Sequence, residues 1–449
     1  MGHGRGWALI ATALVMMTTR AASANEESPQ SPKRALPDYD GRGPDPSNTD
    51  GAGTWTARVL LSPLYLTSEW IIRRPLGGLM TAAERADLPN KLYDFFTFGP
   101  NHDMGFYPVG FAAFGFLPSV GVYAFWNNAF VEKNDVRLHV ETWPGDWFYA
   151  SMSDRYTMGE GTWLRVRASA LTRPDMTFYG IGPSTLESAR SRYTERRFDA
   201  NATLDDHFWR SSELQGVVGV RKVETSHGHF GSDPSVEVAA ANGAYPLPWG
   251  FDRDYLAPYV SLNLALDTRK PRGSRTGVRV EAYGEEGVDL QHDATSSWVR
   301  YGATLAAHVD TTGTGRVLSL KGGVLFADPM SSDSQVPFTE LVTLGGEKWM
   351  RGYFPGRLVD RSAAIVELSY AWPVAASFEA TIHADVGNVF GPHLDGFKPE
   401  LLRFSGSLGL ASKLANPPFE FVVGFGTETF QHGGQVDSIR LTVGVPLSF

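Results

Sequence analysis

The chain has 449 residues, with 40 Lys and Arg against 49 Asp and Glu, so its formal net charge is −9. That balance argues against nucleic acid as a partner. Length alone fits two or three domains, although large all-β barrels run as one, and the absence of cysteine permits an oxidising compartment.

Residues 1–24 carry Arg5, an apolar run from Trp7 to Met17, and Ala22-Ser23-Ala24. This is the n-region, h-region and small-residue cleavage site of a secretory signal peptide. The competing reading is a short N-terminal helix that is retained. Residues 25–53 are rich in Pro, Gly, Ser, Asp and Glu, and read as a disordered linker. Residues 54–103 read as an amphipathic helical segment. Leu60, Leu64, Ile71 and Ile72 suit one helical face, with Pro63 and Pro75 as breaks. Glu69 and Arg73-Arg74 make it too charged to span, so it suits an interface or the mouth of a barrel. No later stretch holds the roughly 20 uncharged apolar residues of a spanning helix.

From Met104 the apolar period changes to two. Val136, Leu138 and Val140 alternate with Arg137 and Glu141, and Leu164 and Val166 with Arg165 and Arg167. Val260, Leu262, Leu264 and Leu266 repeat the pattern, as do the segments around Arg279, Arg300, Glu379 and Glu420. A soluble barrel has a greasy interior. Charges alternating with aliphatics suit the inverse, with lipid outside and a wet lumen inside. Aromatics at segment ends (Phe125, Trp126, Trp143, Trp147, Phe148, Tyr149, Trp298, Trp372) suit interfacial girdles. The fold class is therefore all-β: a transmembrane antiparallel β-barrel over residues 104–449, preceded by a short helical segment. Its 346 residues, at roughly 10 per strand and as many per connection, make about 16 strands. Ser184 to Arg253 is too irregular to divide. A lumen of that size exceeds what wall side chains fill, so something should plug it.

The long break in the pattern, Asp328 to Asp360, contains LGGEKWMRGYFPGR. Here the sequence resembles the superfamily of outer-membrane barrels that includes the BamA and TamA assembly factors and the FhaC-type transporters, also called the bacterial surface antigen family. Arg351-Gly352-Tyr353 matches the Arg-Gly-aromatic tip of their lumenal loop, with Gly345 and Gly346 before it. Thr177 to Thr185 resembles their aromatic-Gly-x-Gly segment. Asp267, Arg269 and Gly277 match a turn between two middle strands. Glu367 and Asp385 fall on the two strands after the loop, and the terminal Phe449 resembles the signal read by the barrel assembly machinery. Alternation turns Glu367 and Asp385 inward, and two inward carboxylates on neighbouring strands can hold one guanidinium, with Arg351 the candidate. The glycines supply backbone freedom for the tip.

The resemblance implies the outer membrane of a Gram-negative bacterium and a role in outer-membrane biogenesis or protein insertion and transport. Its implied partners are outer-membrane lipids, protein clients, and the barrel assembly machinery during insertion. Residues 25–103 show no β-α-α-β-β pattern of a periplasmic client-receiving (POTRA) module, which favours a passive pore or structural barrel as the alternative. No nucleophile elbow, phosphate loop or EF-hand loop occurs, so an enzyme, such as a lumenal lipid hydrolase, is the third reading. No cofactor or metal is expected. His227 and His229 read as an extracellular loop, and Asp205-Asp206-His207 as a strand end.

Overall fold

The computed structural model describes residues 78, 82 and 85–445, except 271–274, 293–296, 312, 314, 376–377 and 413–417. The expected signal and linker, the apolar run from Leu60 to Ile72, and Phe449 lie outside the described residues. The chain enters through helix α1 (Leu88–Phe96) and the two-residue strand β1 (Thr97–Phe98).

Sixteen strands then close an antiparallel barrel. In chain order they are β2 (Met104–Ala113), β3 (Ser119–Asn127), β4 (Asn134–Trp143), β5 (Trp147–Thr157), β6 (Thr162–Phe178), β7 (Ser191–Trp209), β8 (Ser212–His227) and β9 (Tyr255–Asp267). The second half comprises β10 (Gly277–Val288), β11 (Ser297–Asp310), β12 (Val317–Pro329), β15 (Ser362–Ala375), β16 (Phe378–Phe390), β17 (Arg403–Ser412), β18 (Glu420–Thr427) and β19 (Val436–Gly444). Each pairs with the next in the wall, β12 with β15, and β19 returns to β2. The missing numbers belong to a two-stranded hairpin, β13 (Val342–Leu344) with β14 (Leu358–Asp360), inside the loop from β12 to β15.

The alternation has the expected polarity. On β9, Val260 and Leu262 are each 56% exposed on the outer face, while Tyr259 and Asp267 are buried on the inner one. On β15, Val366 and Leu368 face outward and Glu367 is buried between them. Spanning strands leave no backbone group unpaired in lipid, which only a closed sheet achieves without helices.

One irregularity of the sequence has a physical cause, and one expectation needs correction. Ser184–Arg253 is irregular because β7 and β8 run 19 and 16 residues, well beyond a spanning strand's length. Ser191 to Glu195 are buried in succession, since residues near Asp233–Ser235 cover the strand's other side, and period-two exposure is lost there. The aromatic girdle is also partial. Trp126 and Phe148 are exposed, but Trp147, Tyr149 and Trp298 are buried in the interior. Tyr255 stacks edge-on against Trp298.

The loop packs inside the lumen. Leu344, Trp349, Met350, Tyr353 and Leu358 of the β12–β15 loop pack in one core with the wall residues Phe178, Tyr193, Val223, Tyr255 and Ile365. A second short helix, α2 (Val236–Ala241), contributes Val236 and Ala239.

Candidate functional site

The loop from Met330 to Arg361 is the feature that a plain barrel does not need. It is pinned first at Glu340. This carboxylate is fully buried and accepts from Arg221 Nη1 of β8 at 3.0 and 2.9 Å, Arg300 Nη1 of β11 at 3.2 Å, and the Tyr255 hydroxyl at 2.5 Å. Sequence reasoning missed Glu340, because it lies in a 3₁₀ turn with no periodic neighbour.

Past Glu340 the β13–β14 hairpin carries the tip. Gly345 and Gly346 hold φ of +104° and +90°, where a side chain would be strained. A Cβ on Gly345 would sit 2.1 Å from the Phe354 carbonyl. The Gly352 amide donates to Ser405 Oγ at 2.9 Å. The Tyr353 hydroxyl donates to the Thr427 carbonyl at 2.5 Å and accepts from the Thr427 amide at 2.7 Å. The tip therefore rests on the inner face of β17 and β18.

Arg351 lies inside the barrel, but not on the expected partners. Its Nη2 is 2.8 Å from Glu420 Oε2 on β18 and 3.3 Å from Glu347 within the loop. It makes no ion pair with Glu367 or Asp385 among the described residues. The physical reason is the path of the side chain. The guanidinium lies over β17, where a Cβ on Gly409 would stand in ordinary contact with Nη1 at 3.8 Å, and from there it reaches Glu420 on β18. Glu367 and Asp385 are directly opposed on β15 and β16, and both are buried.

Two further arginines, Arg440 and Arg357, tie the loop to the wall beside Arg351. Arg440 of β19 donates to the carbonyls of Gly346 at 2.5 Å and Arg351 at 3.0 Å, and pairs with Glu347. Arg357 of the loop and Arg403 of β17 share Asp437 of β19, at 3.1 and 3.4 Å. Arg357 also donates to Thr185 and stacks over the Tyr179 ring. Arg440 was legible as inward, since Ile439 and Leu441 flank it; its carbonyl targets were not. The Thr177–Thr185 segment touches the loop directly: Thr177 Oγ1 donates to the Pro355 carbonyl at 2.9 Å, and the Gly182 amide to Val359 at 3.0 Å.

A family model for the Omp85 superfamily domain matches residues 151–446. The chain belongs to the Omp85 superfamily. Its barrel is similar to BamA from Haemophilus ducreyi lacking POTRA domains 1-3, with a TM-score of 0.52 and 13% identity over 76% of this chain and 70% of that one. It is also similar to CdiB from Acinetobacter baumannii, with a TM-score of 0.47 and 12% identity over 77% of this chain and 60% of that one. CdiB from Escherichia coli gives 0.47 and 13%, over 75% and 62%. The likeness to BamA is one of fold. No curated protein sequence matches the chain.

In this Omp85 barrel the Asp267 turn is an ionic knot away from the loop. The Asp267 carboxylate holds Arg269 by its backbone amide at 2.9 Å and its Nη2 at 2.6 Å, with Arg279 at 3.6 Å. A Cβ on Gly277 would meet Thr268 Oγ1 at 2.6 Å, so this strand start is closely packed. His227, expected in a loop, is instead the exposed last residue of β8, and Thr162 donates to Asp206 near the end of β7.

The tip makes a mutational test. A Cβ on Gly352 would lie 2.0 Å from the Phe425 carbonyl oxygen and 2.5 Å from its carbon. Both are backbone and cannot step aside. Gly352→Ala should lift the tip from β18 and destabilise the protein by about 1–3 kcal/mol. Limited proteolysis of the folded barrel checks this: cleavage within 340–360 is expected in the variant and not in the parent.

Proposed function

We propose that this Omp85 protein inserts or translocates polypeptides at the outer membrane, and that the β2–β19 seam is where it acts. The observation that carries the reading is the seam's length. Thr442–Ala113, Val443–Ala112 and Gly444–Phe111 are its register pairs among the described residues, whereas β17 and β18 share a ladder from Ser405–Gly426 to Ala411–Glu420. The far end of β2 is taken not by β19 but by β1, through Thr97–Gly105 and Phe98–Met104. Pro108 lies in mid-β2, and sheets keep a residue without an N–H at edges.

The physics follows from the solvent. In lipid every unpaired backbone group costs several kcal/mol, so a full ladder does not open. Over the described residues this ladder has few bonds to break, and an opened strand edge is a template for an incoming strand. The pinned loop suits such a device, because Arg440 and Asp437 tie it to β19 and hold the wall in register while the seam opens. Superfamily membership supports the reading in general terms. Protein clients and outer-membrane lipids are the partners it requires, with the barrel assembly machinery acting in the protein's own insertion.

The purified chain in liposomes should speed the folding of an added unfolded outer-membrane barrel, read as heat-modifiable migration on gels. Steady ion conductance in planar bilayers without any acceleration of folding would favour a passive pore instead.

A further inference from the structure

Behind the loop tip lies a group of polar side chains that the pinning does not use. Glu367 of β15 and Asp385 of β16 are opposed in register, and His383 lies two residues before Asp385 on the same inner face. One ligand atom from each lies within 4.8 Å of the others. Asp385 is fully buried, yet neither carboxylate oxygen has a hydrogen-bond partner. Ser405 and the Arg351 backbone face it without reaching bonding geometry. Neither ring nitrogen of His383 has a hydrogen-bond partner, its Nδ1 making only an ion-pair contact with Glu367, and the hydroxyl of Ser407, directly across from it on β17, has no hydrogen-bond partner either.

Buried polar groups left this way cost free energy, and several together at one point call for an occupant. Nearby cations are otherwise engaged. The Arg351 guanidinium is on Glu420 and Glu347. Lys321 is opposite Glu367 in the β12–β15 register, but its ammonium sits 3.6 Å from the Trp349 ring centroid and makes no ion pair with either carboxylate.

We propose that Glu367, His383 and Asp385 form a site for a divalent transition metal, zinc by its donor set. One imidazole and two carboxylates suit zinc, whereas magnesium and calcium take oxygen ligands alone. His383 Nδ1 and Glu367 Oε1 are 3.5 Å apart. Two ligand atoms about 2.1 Å from one tetrahedral zinc are separated by about 3.4 Å. Asp385 completes the triangle, and water takes the fourth position. Ser407 is placed to bond the second ring nitrogen and fix the tautomer, as partners of metal-bound histidines do. The ion would clamp β15 to β16 beside Ser405, which holds the Gly352 amide, and so brace the wall on which the tip rests.

The test uses the full chain, purified in detergent and stripped with EDTA. Bound zinc is measured by mass spectrometry after dialysis against zinc chloride. One zinc per chain is expected. His383→Ala and Asp385→Asn should weaken binding about a hundredfold or more. His227→Ala with His229→Ala, which removes two exposed histidines, should leave it unchanged. Heat-modifiable migration reports folding in every sample. If His383→Ala fails to fold, Asp385→Asn keeps the shape and carries the test. If both fail, cobalt bound to the parent chain decides through the intense visible bands of tetrahedral cobalt. No stoichiometric zinc in the parent, zinc that survives His383→Ala and Asp385→Asn, zinc lost only with His227 and His229, or cobalt without tetrahedral bands would each overturn the proposal.

Discussion

Glu340→Ala should be among the most destabilising single changes in this protein, by about 3–5 kcal/mol. The magnitude comes from the charges left behind, not from the bonds lost. Arg221 and Arg300 both lean on Glu340, and Tyr255 donates to it from β9. Without it, Arg221 keeps Glu285 at 3.3 Å and Asp199 at 3.4 Å, which places the expected loss toward the lower figure. Glu340→Gln keeps the shape and should lose less. The effect has a pH signature. Burial alone would raise the Glu340 carboxyl, but Arg221, Arg300 and Arg197 more than offset it and hold it at about 2, below the ordinary 4.5. A depressed carboxylate stabilises the folded state fully above its unfolded value. That contribution fades as pH falls from 4.5 through about 2. Denaturant unfolding of parent and Glu340→Ala, compared at neutral pH and near pH 3, should show the gap narrowing in acid. An equal gap at both would contradict the assignment.

How much of this was legible in the sequence depends on what each feature rests on. The wall was legible because lipid enforces it: Val366, Glu367 and Leu368 can alternate only one way once the outside is apolar. The strand count followed from length. The loop tip was legible through its Arg-Gly-Tyr motif and its glycines. The partner of Arg351 was not, since three inward carboxylates compete for it and alternation does not rank them. Nor was Glu340, whose partners come from β8, β9 and β11, far apart in sequence. Trp147 and Trp298 looked like girdle residues because strand ends are common to both faces, and only closure of the barrel shows which face is inside. Alternation also turned His383 inward, but its grouping with Glu367 and Asp385 needed the register.

The seam tests the functional account most directly, and the effect there should be close to all-or-none. The amide of Phe114 donates to Leu441, and that of Val445 to Gly110. Between them, Ala113 and Thr442 form a pair of the non-hydrogen-bonded kind, with Cα atoms about 4.5 Å apart. That separation accepts a disulfide, whose Cα spacing runs about 4.4–6.8 Å. The chain has no cysteine of its own, so Ala113→Cys with Thr442→Cys introduces one unambiguous bridge. The decisive measurement is the rate at which liposomes carrying this double variant fold an added outer-membrane barrel, before and after reductant. The oxidised barrel should remain folded and heat-modifiable yet leave client folding at the rate of empty liposomes, and reduction should restore the parent rate. Equal rates in the oxidised and reduced states, with the cross-link verified, would contradict the claim that the protein works by opening this seam.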